Sequence, residues 1–473
     1  MSAADRGFAG SSRAWLTEKQ LDLLHAASLE ILERTGARFF SQEALSLFRK
    51  AGAEVSDGSL VRIPPSLVQK ALASAPRELD IYDRRGRPAM HLGGGGCWFG
   101  TGSDCPNIDD PQAGGRRPAG MRDVENAVRL VDALPNLDFL MSMFLPSDVP
   151  ADRYERCQMK AMLEGSTKPI VFCGISGDST RLAVEMAAAV AGGQAALARR
   201  PFVLNYLNTP SALRHNEESL SRLLYAAERN LPSIYAPGNC RGTTAPMSAA
   251  GMMALGNAGQ LAGLVLSQLK REGSPFVLNH PSVGAMDMRW MRDLYASPDK
   301  GPAGGELARR YGLPVFCSGG ACDAKLFDAQ AAAEAALSLF AAAASGASLV
   351  QNAGYLDSAL TGSLELMVLC DELIGWLRRY LRDIEVSEET LSLAAIREAG
   401  PDGDFLAAED TVARLREEWQ PTLFDRASWE AWREAGGTTL EQRANGKVQA
   451  ILREHRAEPL PAAVRAELAR LAE

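Results

Sequence analysis

Eight short apolar runs, each followed by a stretch with helical spacing, leave this chain few folds to choose from. The first four are CWFGTGS from Cys97, FLMSMFLPS from Phe139, PIVFCGIS from Pro169 and PFVLNYLNTPS from Pro201. PSIYAPGNC from Pro232, PFVLNHPSVG from Pro275, PVFCSGGACD from Pro314 and SLVQNAGYLDS from Ser348 complete the set. Between and after them, residues 122–134, 152–164, 180–191, 217–230, 249–271, 329–344 and 364–380 read as helices. Runs that are apolar throughout suit parallel strands covered on both faces. Eight is the number of βα units that closes a barrel. A doubly wound open sheet is the alternative, but no GxGxxG loop opens the first unit. The expected fold class is α/β: a (β/α)8 TIM barrel at residues 93–382, with an N-terminal helical and hairpin cap at 1–92 and a C-terminal helical extension at 383–473.

The cap has readable punctuation. Thr17 is placed to cap a helix carrying Leu21, Leu24, Ile31 and Leu32, and Gly36 stops it. Ser41 starts a second helix and Pro64-Pro65 a third. LDIYD and PAMHL flank Arg84-Arg85-Gly86-Arg87, a hairpin turn. In the extension, Trp419, Trp429 and Trp432 are expected to pack rather than form a ligand box, and LEQRANGKVQAILREH reads as an amphipathic helix.

Charge and motif content exclude several function classes. Fifty Lys plus Arg against 58 Asp plus Glu give a net charge of −8, unsuited to sequence-independent nucleic-acid binding. The most apolar stretch, 326–350, is broken by Asp328, Gln330 and Glu334, so no membrane span is expected. The N-terminal MSAADRGFAGSSRAW has no apolar core, and the eight Cys include no CxxC pair; both point to a cytoplasmic chain. No GxSxG, Walker, HExxH or kinase signature is present, and the glycine run 93–96 precedes a strand instead of opening a helix. Cys317 and Cys322 with His280 would be a poor zinc set, because C-x4-C is weak spacing and a fourth ligand is missing. A Cys nucleophile served by His280 has equally thin support. No metal and no residue in covalent catalysis is therefore expected.

Each apolar run ends in Asn, Tyr, Ser, Gly, His, Asp or Cys, at what would be the C-terminal rim of a barrel, where such folds carry their active sites. Projected on that rim are Trp98, Phe99 and Asp104; Tyr206; Tyr235 and Asn239; His280; Phe316, Asp323 and Lys325; and Gln351 and Tyr355. Aromatic faces beside a carboxylate suit a quaternary ammonium ion. Amides and a cation suit a carboxylate at the ligand's far end.

Four segments carry a family resemblance: WFGTGSDCPNIDD, GGRRPAGMRDVENAVRLVDALPNLDFLMSMFLPSDVP, SGGACDAKLFDAQAAAEAALS and GPDGDFLAAEDTVARLR. Together they resemble the trimethylamine methyltransferase family, from about Leu16 to His455. The resemblance implies a TIM barrel that moves a methyl group from a methylated amine to the cobalt of a small corrinoid protein. Trimethylamine enzymes of that family carry an in-frame pyrrolysine, whereas this chain has only the twenty ordinary residues. It is therefore similar to the branch without pyrrolysine, whose members demethylate quaternary amines. FGTGSDCPN and LPSDVP look most like the glycine betaine members, with proline betaine and carnitine as related substrates.

The chemistry agrees with that branch. Loss of methyl from a quaternary ammonium yields a neutral tertiary amine, so no proton need be delivered to nitrogen. With a Co(I) nucleophile supplied by the cognate corrinoid partner, the chain has only to hold the cation with one methyl in line. No tightly bound cofactor is expected in the chain itself, and a homo-oligomer is. The expected roles are a trimethylammonium pocket of Trp98, Phe99, Tyr206, Tyr235, Phe316 and Tyr355, with Asp104 as countercharge. His280, Asn239 and Gln351 are assigned to the carboxylate end. Asp323 and Lys325 stand behind them, either as an Asp-x-Lys turn or as a pair with each other. Family members commonly have His where this chain has Asp404 and Asp410. The alternatives are an osmolyte-binding protein for betaine-like ligands without turnover, and a zinc-dependent corrinoid methyltransferase using Cys317, Cys322 and His280.

Overall fold

The computed structural model describes residues 15–279, 284–297 and 302–473. Its centre is one parallel sheet of seven strands: β1 (Trp98–Phe99), β2 (Ile170–Cys173), β3 (Val203–Thr209), β4 (Ser233–Pro237), β5 (Phe276–Asn279), β6 (Val315–Ser318) and β7 (Leu349–Gln351). They run in the order β1-β7-β6-β5-β4-β3-β2. The gap between β1 and β2 is closed by residues 139–144, where Phe139 bridges Gly100 and Leu140 bridges Ile170, both in parallel. All eight apolar runs thus lie in the wall of a closed barrel. Helices α1 (Met121–Ala133), α2 (Tyr154–Gly165), α3 (Gly177–Ala191), α4 (Glu217–Glu228), α5 (Ala249–Lys270), α6 (Pro302–Arg310), α7 (Ala329–Ala344) and α8 (Leu364–Tyr380) follow them in turn.

Strand residues alternate between two apolar compartments, as the pleat requires. Trp98, Val171, Leu204, Ile234, Val277, Phe316 and Leu349 point inward and form a cluster with Phe139 and Met141. Their neighbours Phe99, Phe172, Val203, Cys317 and Val350 point outward, into the layer shared with the helices. Tyr235, Phe276, Leu278 and Val315 do the same on the other side of the barrel. A fully apolar run is therefore the sum of two buried faces.

The interior cluster continues into the hairpin Leu79–Tyr82 and Pro88–Leu92, which contributes Leu79, Ile81, Met90 and Leu92. Tyr82 N–H donates to Pro201 O at 2.9 Å and Arg84 N–H to Thr167 O at 2.9 Å, both carbonyls lying just ahead of strands. The hairpin plugs the end of the barrel opposite the strands' C-terminal rim.

The cap helices form where the sequence places them. Thr17 and Gln20 make a reciprocal capping box at the start of Glu18–Glu30. Ser41 caps Gln42–Lys50, and Pro65 opens Pro65–Ser74. These helices lie on α5, and cap residues Leu21, Leu24, Phe39 and Phe48 share one core with Leu261, Leu264 and Val265 of that helix. At 22 residues and mean hydropathy 1.3, α5 alone among the described helices is long and apolar enough to cross a bilayer, and most of it is covered by protein. At the other end of the chain, Leu440–Glu454 packs on α1 and α8, and Ala462–Ala472 packs on α2 and α3.

Candidate active site

The loop after β1 is shaped by crowding. A Cβ on Gly102 would lie 2.1 Å from Tyr355 Oη and 2.3 Å from Asn352 Oδ1, so only glycine lets the β1 and β7 loops meet. Tyr355 O–H donates to Ser103 O across that contact. On the other side the loop zips to 139–144: Met143 N–H donates to Gly102 O at 2.9 Å and Cys105 N–H to Met143 O at 3.0 Å. Between these two anchors Asp104 adopts a left-handed backbone, φ +66°.

The Asp104 side chain has neutral neighbours. Gln158 of α2 points Nε2 at Oδ1, 3.4 Å away, while also donating to Phe144 O at 2.8 Å. Burial raises the Asp104 pKa above the ordinary carboxylate value, and hydrogen bonds from Ser103, Gln158 and Ser142 only partly oppose it. Among the described residues no Lys, Arg or His forms an ion pair with it.

Aromatic groups crowd the same space. Tyr206 faces the barrel axis with its ring 5.5 Å from that of Phe316, and its phenol is hydrogen-bonded to Gln351. Tyr295, on the loop after β5, meets Tyr355 edge-on at 6.4 Å. Burial raises all three tyrosine pKa values, that of Tyr295 to about 12, so the rings are neutral phenols at physiological pH. Tyr355 and Tyr154 both feel the Asp104 charge. Cys173 Sγ sits 3.3 Å from Ser103 Oγ; burial, then Asp104, pushes its thiol to about 12. It remains a thiol.

Two charged residues complete the surroundings. Glu155, at the start of α2, has a raised pKa, first from burial, and is close enough to Asp104 and Arg222 to feel both. Arg222 of α4 is buried, donates Nη2 to Tyr206 O, and has no hydrogen-bond partner at Nε.

Of the residues expected at the rim, the structure brings Asp104, Tyr206, Phe316, Gln351 and Tyr355 into one neighbourhood. Others go elsewhere. Phe99 faces outward into the helical layer, with the Arg378 guanidinium 5.7 Å from its ring centre, because β1 has turned its other residue inward. Tyr235 also faces outward, where its hydroxyl and His215 Nδ1 are 2.7 Å apart. Trp98 does point inward, but its Nε1–H donates to His91 O at 3.0 Å in the hairpin that plugs the closed end. These three leave the expected ammonium pocket. Asn239 follows β4 with its amide Nδ2 buried and unpartnered. His280 lies outside the described residues.

Asp323 and Lys325 do not pair through their side chains. The Asp323 carboxylate accepts from Tyr295 N–H at 3.1 Å, Ala296 N–H at 3.0 Å and Ser358 O–H at 2.7 Å, fixing the loop that carries Tyr295. Lys325 Nζ donates to the Asp323 carbonyl and lies 3.2 Å from Asp357, which also binds Arg116 and Arg292. Cys317 faces the helical layer and Cys322 Sγ donates to Tyr355 O at 3.2 Å. Burial drives both thiol pKa values up, that of Cys317 to about 12. Among the described residues no group of three His, Cys, Asp or Glu is placed to hold a metal. Asp404 and Asp410 make local contacts only, to Leu406 N–H and to Ser392 and Arg414.

Tyr154, Glu155, Gln158, Arg222 and Tyr295 were invisible to a reading of strand ends. Four of them come from helices, whose polar residues look like solvated faces. The fifth sits in a loop with no periodicity.

Comparisons with known proteins span nearly the whole chain. A family model described as trimethylamine methyltransferase matches residues 10–472. Trimethylamine methyltransferase MttB of Desulfitobacterium hafniense strain DCB-2 is 32% identical over 469 residues, covering 98% of this chain and 94% of that protein. Glycine betaine methyltransferase of Desulfitobacterium hafniense strain Y51 is 31% identical over 443 residues, 92% of each. Among solved structures, the Methanosarcina barkeri monomethylamine methyltransferase MtmB aligns at TM-score 0.45 and 13% identity, over 95% of this chain and 97% of that one.

Proposed function

We propose a function on one premise: the chain belongs to the trimethylamine methyltransferase family. It is a methyltransferase acting on small methylated amines or betaines. Within that class, we infer that its substrate is a quaternary amine, most simply glycine betaine. The observation that carries this reading is Asp104, a half-buried carboxyl that forms no ion pair among the described residues, beside neutral tyrosines. A tetraalkylammonium group has no N–H to donate. It needs aromatic faces and an unshared negative charge, and both are present.

The transfer breaks one C–N bond. The methyl leaves as a formal cation, the nitrogen keeps the electron pair, and the product is neutral at nitrogen: dimethylglycine from glycine betaine. A reduced corrinoid on a partner protein supplies the nucleophile that takes the methyl. The chain's own part is binding and aim. Asp104, ionised by the arriving cation, holds the ammonium; Tyr206, Tyr295 and Tyr355 exclude water around it, and Phe316 forms the floor under Tyr206. Arg222, with an unused Nε–H near Tyr206, is the cation available for a substrate carboxylate, and Gln351 fixes the Tyr206 hydroxyl.

The test is calorimetry with glycine betaine, proline betaine, carnitine, choline and trimethylamine, followed by methyl transfer to free Co(I) cobalamin read by absorbance. Betaines are expected to bind and yield methylcobalamin, and Asp104→Asn to lose about tenfold or more in affinity. Preference for trimethylamine would overturn the substrate class. Betaine binding without transfer to any reduced corrinoid would leave a binding protein.

A further inference from the structure

At the plugged end of the barrel, far from the mouth, lies a cleft of about 670 Å³ that the methyl-transfer reading does not use. Its walls come from the hairpin turn at 84–86 and from the end of the short helix Gln194–Arg199 with the residue after it. They carry four guanidinium groups, Arg84, Arg85, Arg199 and Arg200, and one carboxylate, Asp83.

That carboxylate is already committed. Asp83 Oδ1 accepts from Arg85 N–H at 2.8 Å and Arg87 N–H at 3.0 Å, and Oδ2 accepts from Arg85 Nε at 2.8 Å. Arg85 also reaches Glu458 at 3.5 Å. Arg84 is buried and its hydrogen bonds go to the backbone carbonyls of Leu163, Glu164 and Glu458, so its charge is solvated but not neutralised. Burial lowers its pKa, with the fields of Asp132 and Glu458 opposing. Arg199 and Arg200 are exposed, and among the described residues their guanidinium groups make no hydrogen bond or ion pair, although the Arg200 backbone N–H donates to Ala196 O at 3.0 Å. Arg200 lies across the turn, its Nη1 3.5 Å from where a Cβ on Gly86 would be.

The result is a concave patch with uncompensated positive charge on a chain of net charge −8. Like-signed charge lining a cleft focuses its field on an incoming ion of opposite sign. Guanidinium forks match the paired oxygens of phosphoryl groups. The volume is that of a small-molecule site rather than of a protein interface. We propose that this cleft binds a small molecule carrying two or more phosphoryl groups. Its occupant bridges the plugging hairpin, the short helix and, through Arg84 and Arg85, the chain at Glu458.

Titration calorimetry and thermal unfolding of the full chain, with tripolyphosphate and with ATP at fixed ionic strength, test this. Sodium chloride serves as the non-specific control. Sub-millimolar binding and a raised Tm are expected for both probes. Arg199→Ala/Arg200→Ala, two exposed positions, should weaken binding about tenfold or more with unchanged circular dichroism and unchanged betaine affinity. Arg397→Ala, on an exposed helix that does not line the cleft, should change nothing. Tighter binding of ATP would add a base contact at half-buried Tyr82, whereas equal binding would assign recognition to the phosphoryl chain alone. No binding beyond the chloride control, or undiminished binding to the double variant, overturns the proposal.

Discussion

Asp104, half-buried, and His215, fully buried, are titratable groups whose consequences run in different directions. A cation beside Asp104 stabilises its ionised form, so ligand binding must lower a pKa that burial has raised. Betaine affinity should therefore climb as pH rises through that raised value, with a proton released on binding below it. Calorimetry stepped down a pH series, each point in two buffers of different ionisation enthalpy, reads this directly; identical heats at every pH would disconnect Asp104 from the ligand. His215 is stacked on Phe39 at 4.5 Å, and burial drops its pKa to about 3. The unfolded chain, with a His pKa near 6.5, takes up a proton that the folded chain refuses. Stability is then complete above about pH 6.5 and lost progressively below it, by roughly 2 kcal/mol at pH 5. His215→Gln should flatten the fall of Tm between about pH 7 and pH 5. That Asp104 and Tyr355 fall in one neighbourhood was legible in the sequence, because each follows the end of one of two adjacent strands. Phe99 and Tyr235 were misassigned because the strand ends fix which loops meet, whereas a one-residue change of parity decides inside from outside.

At the scale of elements, the seven strands and the bridging segment at Phe139 begin within two residues of the starts of the eight apolar runs, whereas the runs extend past the strand ends. A buried parallel strand must be apolar on both faces, and that leaves a plain mark on the sequence. What the mark cannot carry is which helix residues reach over the rim, as Gln158 and Arg222 do. Helix–strand contact is nonetheless specific. Gly263 of α5 accepts the Tyr235 ring, and a Cβ there would lie 2.4 Å from Cε1. Gly263→Ala gains helix propensity but must displace a fully buried ring, so a net loss of about 1–3 kcal/mol is expected from chemical denaturation. A neutral or stabilising result would mean that α5 can slide along the sheet.

Across the whole molecule, cap, barrel and tail share cores, so removing one piece uncovers another. Leu468 of the last helix is fully buried, and His455 Nε2 lies 2.8 Å from Oδ2 of Asp132, whose Oδ1 accepts from Ser166 O–H and Thr167 N–H ahead of β2. Ending the chain after Glu454 should lower Tm by several degrees or more, through loss of a buried leucine of about 2–3 kcal/mol and of that tie. An unchanged Tm would make the last helix a mere appendage. The hairpin seated against Trp98 and Leu204 has a different consequence, kinetic in kind. With one end of the barrel stoppered, arrival and departure share a single doorway, and any protein covering it detains whatever is inside. Under the proposed function, turnover would then follow a fixed sequence: the amine enters an open vessel, the methyl acceptor seats itself, and the spent amine waits for the acceptor to withdraw.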